Sequence, residues 1–190
     1  MNSECLMNKI GGHSGRYTLQ RIPSYSPKKK RRWRDGIEGW AMDALLSDNL
    51  LLARRFINEC WNEGQVEVLE EIMSAEHVHH FSGVDLHGRQ AVRGLILAMR
   101  TAFPDLHISI EDEIVGGDKV VLRWRTRATH LGDFNSMAPT RNELDYTGID
   151  IIRFEGGRIV ELWNQMDELA FNRQLNRLGP LPPLPVEEVS

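Results

Sequence analysis

From residue 106 onward the chain is a run of long β-rich segments joined by short turns, and few architectures can bury such a run. The segments are 106–114, 119–130, 144–154 and 158–166. The turns Gly116-Gly117-Asp118 and Glu155-Gly156-Gly157-Arg158 are hairpin signals, because glycine reaches positive φ without a Cβ clash. A longer loop at 132–142 joins the middle pair. Strands this long, linked mainly by hairpins, form an antiparallel meander that must curl.

Helical patterns precede the strands. Asp48 is placed to cap a helix whose apolar positions Leu51, Leu52, Phe56 and Cys60 recur at helical spacing up to Asn62-Glu63-Gly64. A second helix is predicted over 65–73 and a short strand over 78–81, with a turn at Ser82-Gly83. A third helix, 89–102, carries Val92, Leu95, Ile96 and Met99 on one face and stops before Pro104. A last helix is predicted over 168–178. Helices first and strands afterwards define an α+β class. Three helices set into the concave face of a curved antiparallel sheet cover both apolar surfaces and leave a cone with a pocket.

Charge divides the 190 residues. Residues 1–40 hold nine Lys/Arg against three Asp/Glu; the rest holds fourteen against twenty-four. Residues 1–41 therefore read as a disordered basic extension, 42–179 as the folded domain and 180–190 as a proline-rich tail. The run from Lys28 to Arg34 reads either as a nuclear-import signal or contact to acidic polymer or lipid, or as a solvated tail. Met42 is an alternative start. The acidic remainder is a poor candidate for nucleic-acid binding through its own surface, which leaves the basic run Lys28 to Arg34 as the place for such a contact. Cys5 and Cys60 make no disulfide framework, which favours a reducing compartment. No apolar run is long enough for a membrane span, and a signal-peptide core is missing; a cytoplasmic protein is expected.

Polar groups interrupt the apolar strands. Asp150 lies among Ile149, Ile151 and Ile152, so a desolvated carboxylate with a raised pKa is expected there, suited to taking a proton beside a carbonyl. A structural aspartate bonded to a neighbouring Arg or Trp is the alternative. Asn164 on the next strand can donate to a carbonyl or enolate oxygen, or serve as a buried amide. On strand 119–130, Leu122, Trp124, Thr126, Ala128 and His130 share one face, predicted to look inward, while Arg123, Arg125 and Arg127 look outward. Trp124 is pocket wall or core. His130 is expected near the rim as a ligand contact, or as a loop cap. His79 and His80 face opposite ways, with His80 expected to reach the pocket for acid–base work. Asp167 either approaches the rim or caps the last helix. His77 and His79 share a strand face, but no further ligand completes a metal set.

Seven segments, in order, resemble the SnoaL-like polyketide cyclase (ester cyclase) group of the nuclear-transport-factor-2-like superfamily. They are 56–64 (FINECWNEG), 99–106 (MRTAFPDL), 128–134 (ATHLGDF), 137–140 (MAPT), 147–150 (TGID), 157–163 (GRIVELW) and 174–179 (QLNRLG). The resemblance implies an α+β cone with a deep apolar pocket, a homodimer, and cofactor-free ring closure by an intramolecular aldol step. In that family an aspartate on the final strand is the base, helped by histidine, glutamine and asparagine. Aligned to it, the base position is Asn164, the histidine position Asp150, the glutamine position Gly148, and the asparagine position His79 or His80. An amide cannot take a proton at neutral pH, so Asp150 becomes the replacement base. The resemblance thus implies Asp150, Asn164 and His80 as catalytic, and His79, Trp124, His130, Tyr146, Trp163 and Asp167 as substrate-binding, with a small apolar carbonyl or polyketide-like compound as partner and no metal.

Three readings follow: a cofactor-free enzyme of this type, a binding module that holds an apolar metabolite without turnover, or an interaction protein whose pocket is closed by Trp124, Phe154 and Trp163.

Overall fold

The computed structural model describes residues 36–81 and 83–178, with side chains from Leu45 on. The expectations for the basic run and the proline-rich tail lie outside the described residues. Six strands form one sheet: β1 (Met73–Phe81), β2 (Val84–His87), β3 (His107–Gly116), β4 (Lys119–Thr129), β5 (Glu143–Glu155) and β6 (Arg158–Met166). Their order is β2-β1-β6-β5-β4-β3. The helices are α1 (Gly36–Arg55), α2 (Leu69–Ile72), α3 (Arg89–Ala102) and α4 (Glu168–Gln174). They pack against a curved, unclosed sheet, as the α+β expectation required. Among the described residues no helix is long and apolar enough to cross a membrane.

The hairpins form where the glycines allow them. Gly117 has φ +59°, Gly156 +57° and Gly157 +72°, values that strain a residue bearing a Cβ. Strict alternation then sets the faces of β4 and β5. Leu122, Trp124 and Thr126 are buried while Arg123 and Arg127 are exposed, and Leu144, Tyr146, Asp150 and Ile152 are buried. Arg123 and Arg125 pair with Glu111, and Arg125 and Arg127 with Asp145, on the outer face.

Five features differ from the sequence expectation. Asp48 caps nothing: α1 runs through it from Gly36, which also places residues 36–41 in a helix. After Arg55 the helix widens into a π segment, Phe56–Asn62, marked by Glu63 N–H donating to Asn58 O at 3.0 Å. The segment buries Phe56, Ile57, Cys60 and Trp61 together. The predicted second helix shrinks to a 3₁₀ turn, Val66–Val68, plus α2, because Met73 already belongs to β1. β2, too short and exposed to leave a pattern, hairpins onto β1. Finally, the sheet is mixed. β1 pairs with β6 in parallel, since the chain leaves at β2, re-enters at the far edge as β3 and winds back by hairpins.

Asn62 pins the π segment to the sheet. Its amide donates to Ile108 O at 2.9 Å and its oxygen accepts from Ile108 N at 2.7 Å. The amphipathic α3 buries Val92, Ile96 and Met99 from the same side. Between these helices and the inner face of β4, β5 and β6 lies the core, and in it a cavity.

Candidate active site

The cavity measures about 40 Å³. Its roof is Phe56, Ile57 and Trp61 of the π segment with Met99 of α3; its floor is Trp124, Thr126, Tyr146, Asp150 and Asn164 of the sheet. His79 closes one side. Phe81 and Met166, the half-buried members of the wall, stand where it meets solvent.

Asp150 and Asn164 face one another across β5 and β6. Asn164 Nδ2 donates to Asp150 Oδ1 at 2.7 Å. Burial pushes the Asp150 carboxyl up to about 6, with the Asn164 hydrogen bond and the nearby Trp124 N–H opposing the rise. The apolar groups responsible are not Ile149 and Ile151, which the alternation turns to the outer face. They are Leu122, opposite Asp150 on β4, and Ile152, next on the inner face of β5. One N–H of the Asn164 amide thus holds the carboxyl of the neighbouring strand, the arrangement expected of it as a buried amide.

His79 is buried in the wall, and burial lowers its ring to about 3, so it is neutral. Its two nitrogens make no hydrogen bond among the described residues, and neither do Trp124 Nε1 and Asn164 Oδ1. A buried polar atom without a partner is costly, typically ~1–3 kcal/mol. Four such atoms surround one cavity among the described residues.

The remaining predicted residues fall into two groups. Tyr146 lines the cavity, as expected, and burial raises its phenol to about 12. His80, Trp163, His130 and Asp167 do not line it. His80 is a correction: it points to the outer face, bonded to Asp85 at 2.7 Å and Glu161 at 3.2 Å, and these acids raise its pKa. Trp163, its cross-strand partner, stacks on it at 5.4 Å and so faces outward too. The cause is inverted alternation in β1, where polar His77 and His79 are buried and apolar Val78 is not. His130 is not at the rim. It is buried, its Nδ1 accepts from Thr140 N at 3.1 Å, and its ring sits 5.3 Å from that of Phe103, which makes it a loop cap. Asp167 caps α4, accepting from Ala170 N at 2.9 Å.

Sequence reasoning missed Phe56, Ile57 and Trp61 as roof residues, because the stripe it followed, Leu51, Leu52, Phe56 and Cys60, passed over Ile57 and Trp61 and was assigned to packing. It also passed over Thr126, whose inner-face parity with Trp124 was a usable signal. His77 stands behind His79, ring centroids 5.8 Å apart, and burial lowers it to about 4. Among the described residues no three His, Cys, Asp or Glu side chains converge as metal ligands.

Helices over a curved six-strand sheet, with a buried carboxyl at the cavity floor, define a nuclear-transport-factor-2-like α+β protein. Residues 51–175 match the SnoaL-like polyketide cyclase family, and the chain belongs to that family. No curated protein matches the chain in sequence. Among solved structures, it is similar to IdmH of Streptomyces antibioticus, assigned as a polyketide cyclase, at 27% identity, TM-score 0.58, covering 69% of this chain and 98% of that one. TsrD of Streptomyces laurentii gives 26%, TM-score 0.63, and coverage of 70% and 97%. AclR of Streptomyces galilaeus, assigned as a hydroxylase, shares the fold at 23% identity, TM-score 0.64, with 72% and 90% covered.

Proposed function

We propose that the protein is an acid–base enzyme that moves a proton at a carbon next to a carbonyl. Asp150 takes the proton. The C–H electron pair becomes the enolate double bond, and the negative oxygen is held by the N–H of neutral His79. Collapse of the enolate onto a carbon of the same molecule gives a cyclase; return of the proton elsewhere gives an isomerase. Such chemistry needs only proton transfer and hydrogen bonding, so the proposal invokes no metal or organic cofactor.

The observation that carries this reading is the buried Asp150 carboxyl at the cavity floor, oriented by Asn164 and raised to about 6. The polar atoms left without a good hydrogen bond around it, both His79 nitrogens and Asn164 Oδ1, support a site that takes a polar ligand. The test is deuterium uptake from solvent at the α-carbon of carbonyl compounds, from hydroxyacetone to a polyketide methyl ester. Wild type should exchange at least one of them, with a rate rising as pH passes about 6, and Asp150→Asn should not. Exchange that Asp150→Asn leaves intact would sink the assignment of the base.

The small cavity favours a second reading, a module that holds a ligand without turnover. It predicts binding in wild type and Asp150→Asn alike, and exchange in neither. The homodimer implied by the resemblance remains part of the proposal and is read by sedimentation.

A further inference from the structure

Trp124 is the largest side chain on the cavity floor, and it can lie there only because residue 148 is glycine. The two are Cα partners across β4 and β5. A Cβ at Gly148 would collide with the Trp124 six-membered ring and stand 2.8 Å from Gln165 O. The φ of Gly148 is not in the left-handed region, so backbone freedom is not what this glycine provides. It provides room. The indole is edge-on to Tyr146, ring centroids 6.1 Å apart, and Trp124 is only 5% exposed. With the indole in place the cavity is about 40 Å³. An apolar cavity of roughly 150 Å³ takes one benzene ring, so a ring does not fit beneath the indole, whereas a short chain can enter end-on from the opening beside Phe81 and Met166.

Trp124 also carries chemistry into the same space. Its Nε1–H is buried and unpartnered, close to Asp150, and His79 offers a second unpartnered N–H. Two donors and one base suit a carbonyl compound with a second oxygen. A carboxylate ligand is disfavoured, because no cationic side chain lines the wall to offset the negative charge beside Asp150.

We infer that Trp124, seated on Gly148, is the specificity-determining residue of this site, restricting it to compact, uncharged carbonyl compounds that bear a second oxygen and donating its indole N–H to one of the oxygens. The inference rests on the proposed proton-transfer site for its substrate class. Its core, the size limit, is read by binding alone. In the reaction Asp150 takes the α-proton, the carbonyl becomes the enolate held by the two N–H groups, and Asp150 returns a proton to carbon, so no oxidant or reductant is needed.

The test uses two probes that differ only in bulk, hydroxyacetone and 2-hydroxyacetophenone, in which a phenyl ring replaces the methyl group. Affinities are measured by ligand-observed NMR with the full chain. Wild type should bind hydroxyacetone at least tenfold more tightly than the phenyl analogue. Trp124→Ala should reverse that order, with at least a tenfold gain for the phenyl compound. Trp124→Leu, which keeps more of the core filled, should shift the ratio the same way if the alanine variant does not fold. Trp124→Phe should keep the exclusion while weakening hydroxyacetone several-fold, the loss of one hydrogen bond. Equal binding of both probes by wild type, binding of neither, or an unchanged ratio in the alanine and leucine variants would each overturn the inference. Asp150→Asn separates the two proposals: it should abolish deuterium exchange while leaving the binding ratio in place. Exchange that survives it counts against Asp150 as the base and leaves the size limit standing.

Discussion

His79 and His80 are neighbours in the chain and opposites in every physical respect. His79 lies on the inner face of the sheet, buried, without a hydrogen-bond partner, its pKa depressed by desolvation. His80 lies on the outer face, part-exposed, bonded to two carboxylates that raise its pKa, and stacked on Trp163. The same contrast holds for whole faces. Outside, charges come in satisfied networks such as Arg153 with Glu161 at 2.9 Å. Inside, the polar atoms are few and buried, several lack a partner, and burial raises the carboxyl among them. Buried, perturbed groups of this kind around a cavity are what the proposed proton-transfer site rests on.

The largest expected separation of the two faces is in catalysis. Asp150→Asn should lower proton-transfer turnover by about 10²–10⁴-fold, the usual contribution of a positioned base, whereas Glu161→Gln on the outer face should change it by less than about twofold. Comparable losses in both would erase the distinction. Next in size is Gly148→Ala, which forces Trp124 and the β6 backbone apart and should destabilise the fold by about 1–3 kcal/mol in a denaturant titration. Ala at Gly156, where nothing lies within 4 Å, meets only the positive-φ penalty of about 1 kcal/mol.

The pH dependence of stability sharpens the comparison with opposite signs. His79 binds its proton less readily folded than unfolded, so its contribution is present above about pH 6.5 and is lost as pH falls toward 3. His77 behaves likewise down to about 4. His80, raised by Asp85 and Glu161, contributes below about 6.5 and loses that contribution as pH climbs past its folded value. Asp150, also raised, favours the fold in acid and costs stability above about 6. Between about pH 6 and 4 it therefore offsets one of the two buried histidines. His79→Leu should remove up to ~1.4 kcal/mol per pH unit of acid-side slope, one proton's worth, in denaturant titrations across pH 4–7. An unchanged slope would mean that the ring is already solvated. Asp150→Asn should raise stability above pH 7 and not below pH 4. The smallest effect belongs outside: Arg153→Ala, removing an ion pair exposed on one side, should cost less than about 1 kcal/mol at moderate salt.

Much of this was legible in the residues, for stated reasons. The hairpin glycines set out the strand pairs, and the strict alternation of β4 turned Trp124 inward, because a one-residue slip would expose its apolar side chains. The same alternation in β5, not used at that point, brings Tyr146 and Asp150 to the same face. The α3 stripe was equally plain. The illegible parts share a cause: their local pattern opposes their environment. β1 buries two histidines and turns out a valine, so hydrophobic parity pointed to His80 rather than His79. Its parallel pairing with β6 joins segments distant in sequence and leaves no local mark. The roof was missed for another reason: the stripe followed over 51–60 left Ile57 and Trp61 out. Gly148 reads as a weak strand residue until the Trp124 ring is seen lying on it.

The proposed site depends on a buried, raised carboxyl at the floor of the inner face. Carbon-13 NMR of the Asp150 carboxyl, assigned by its loss in Asp150→Asn, tests it most directly. A titration midpoint near 6 is the predicted result. A midpoint near 4, the ordinary carboxylate range, would show a solvated aspartate and contradict the account of the site.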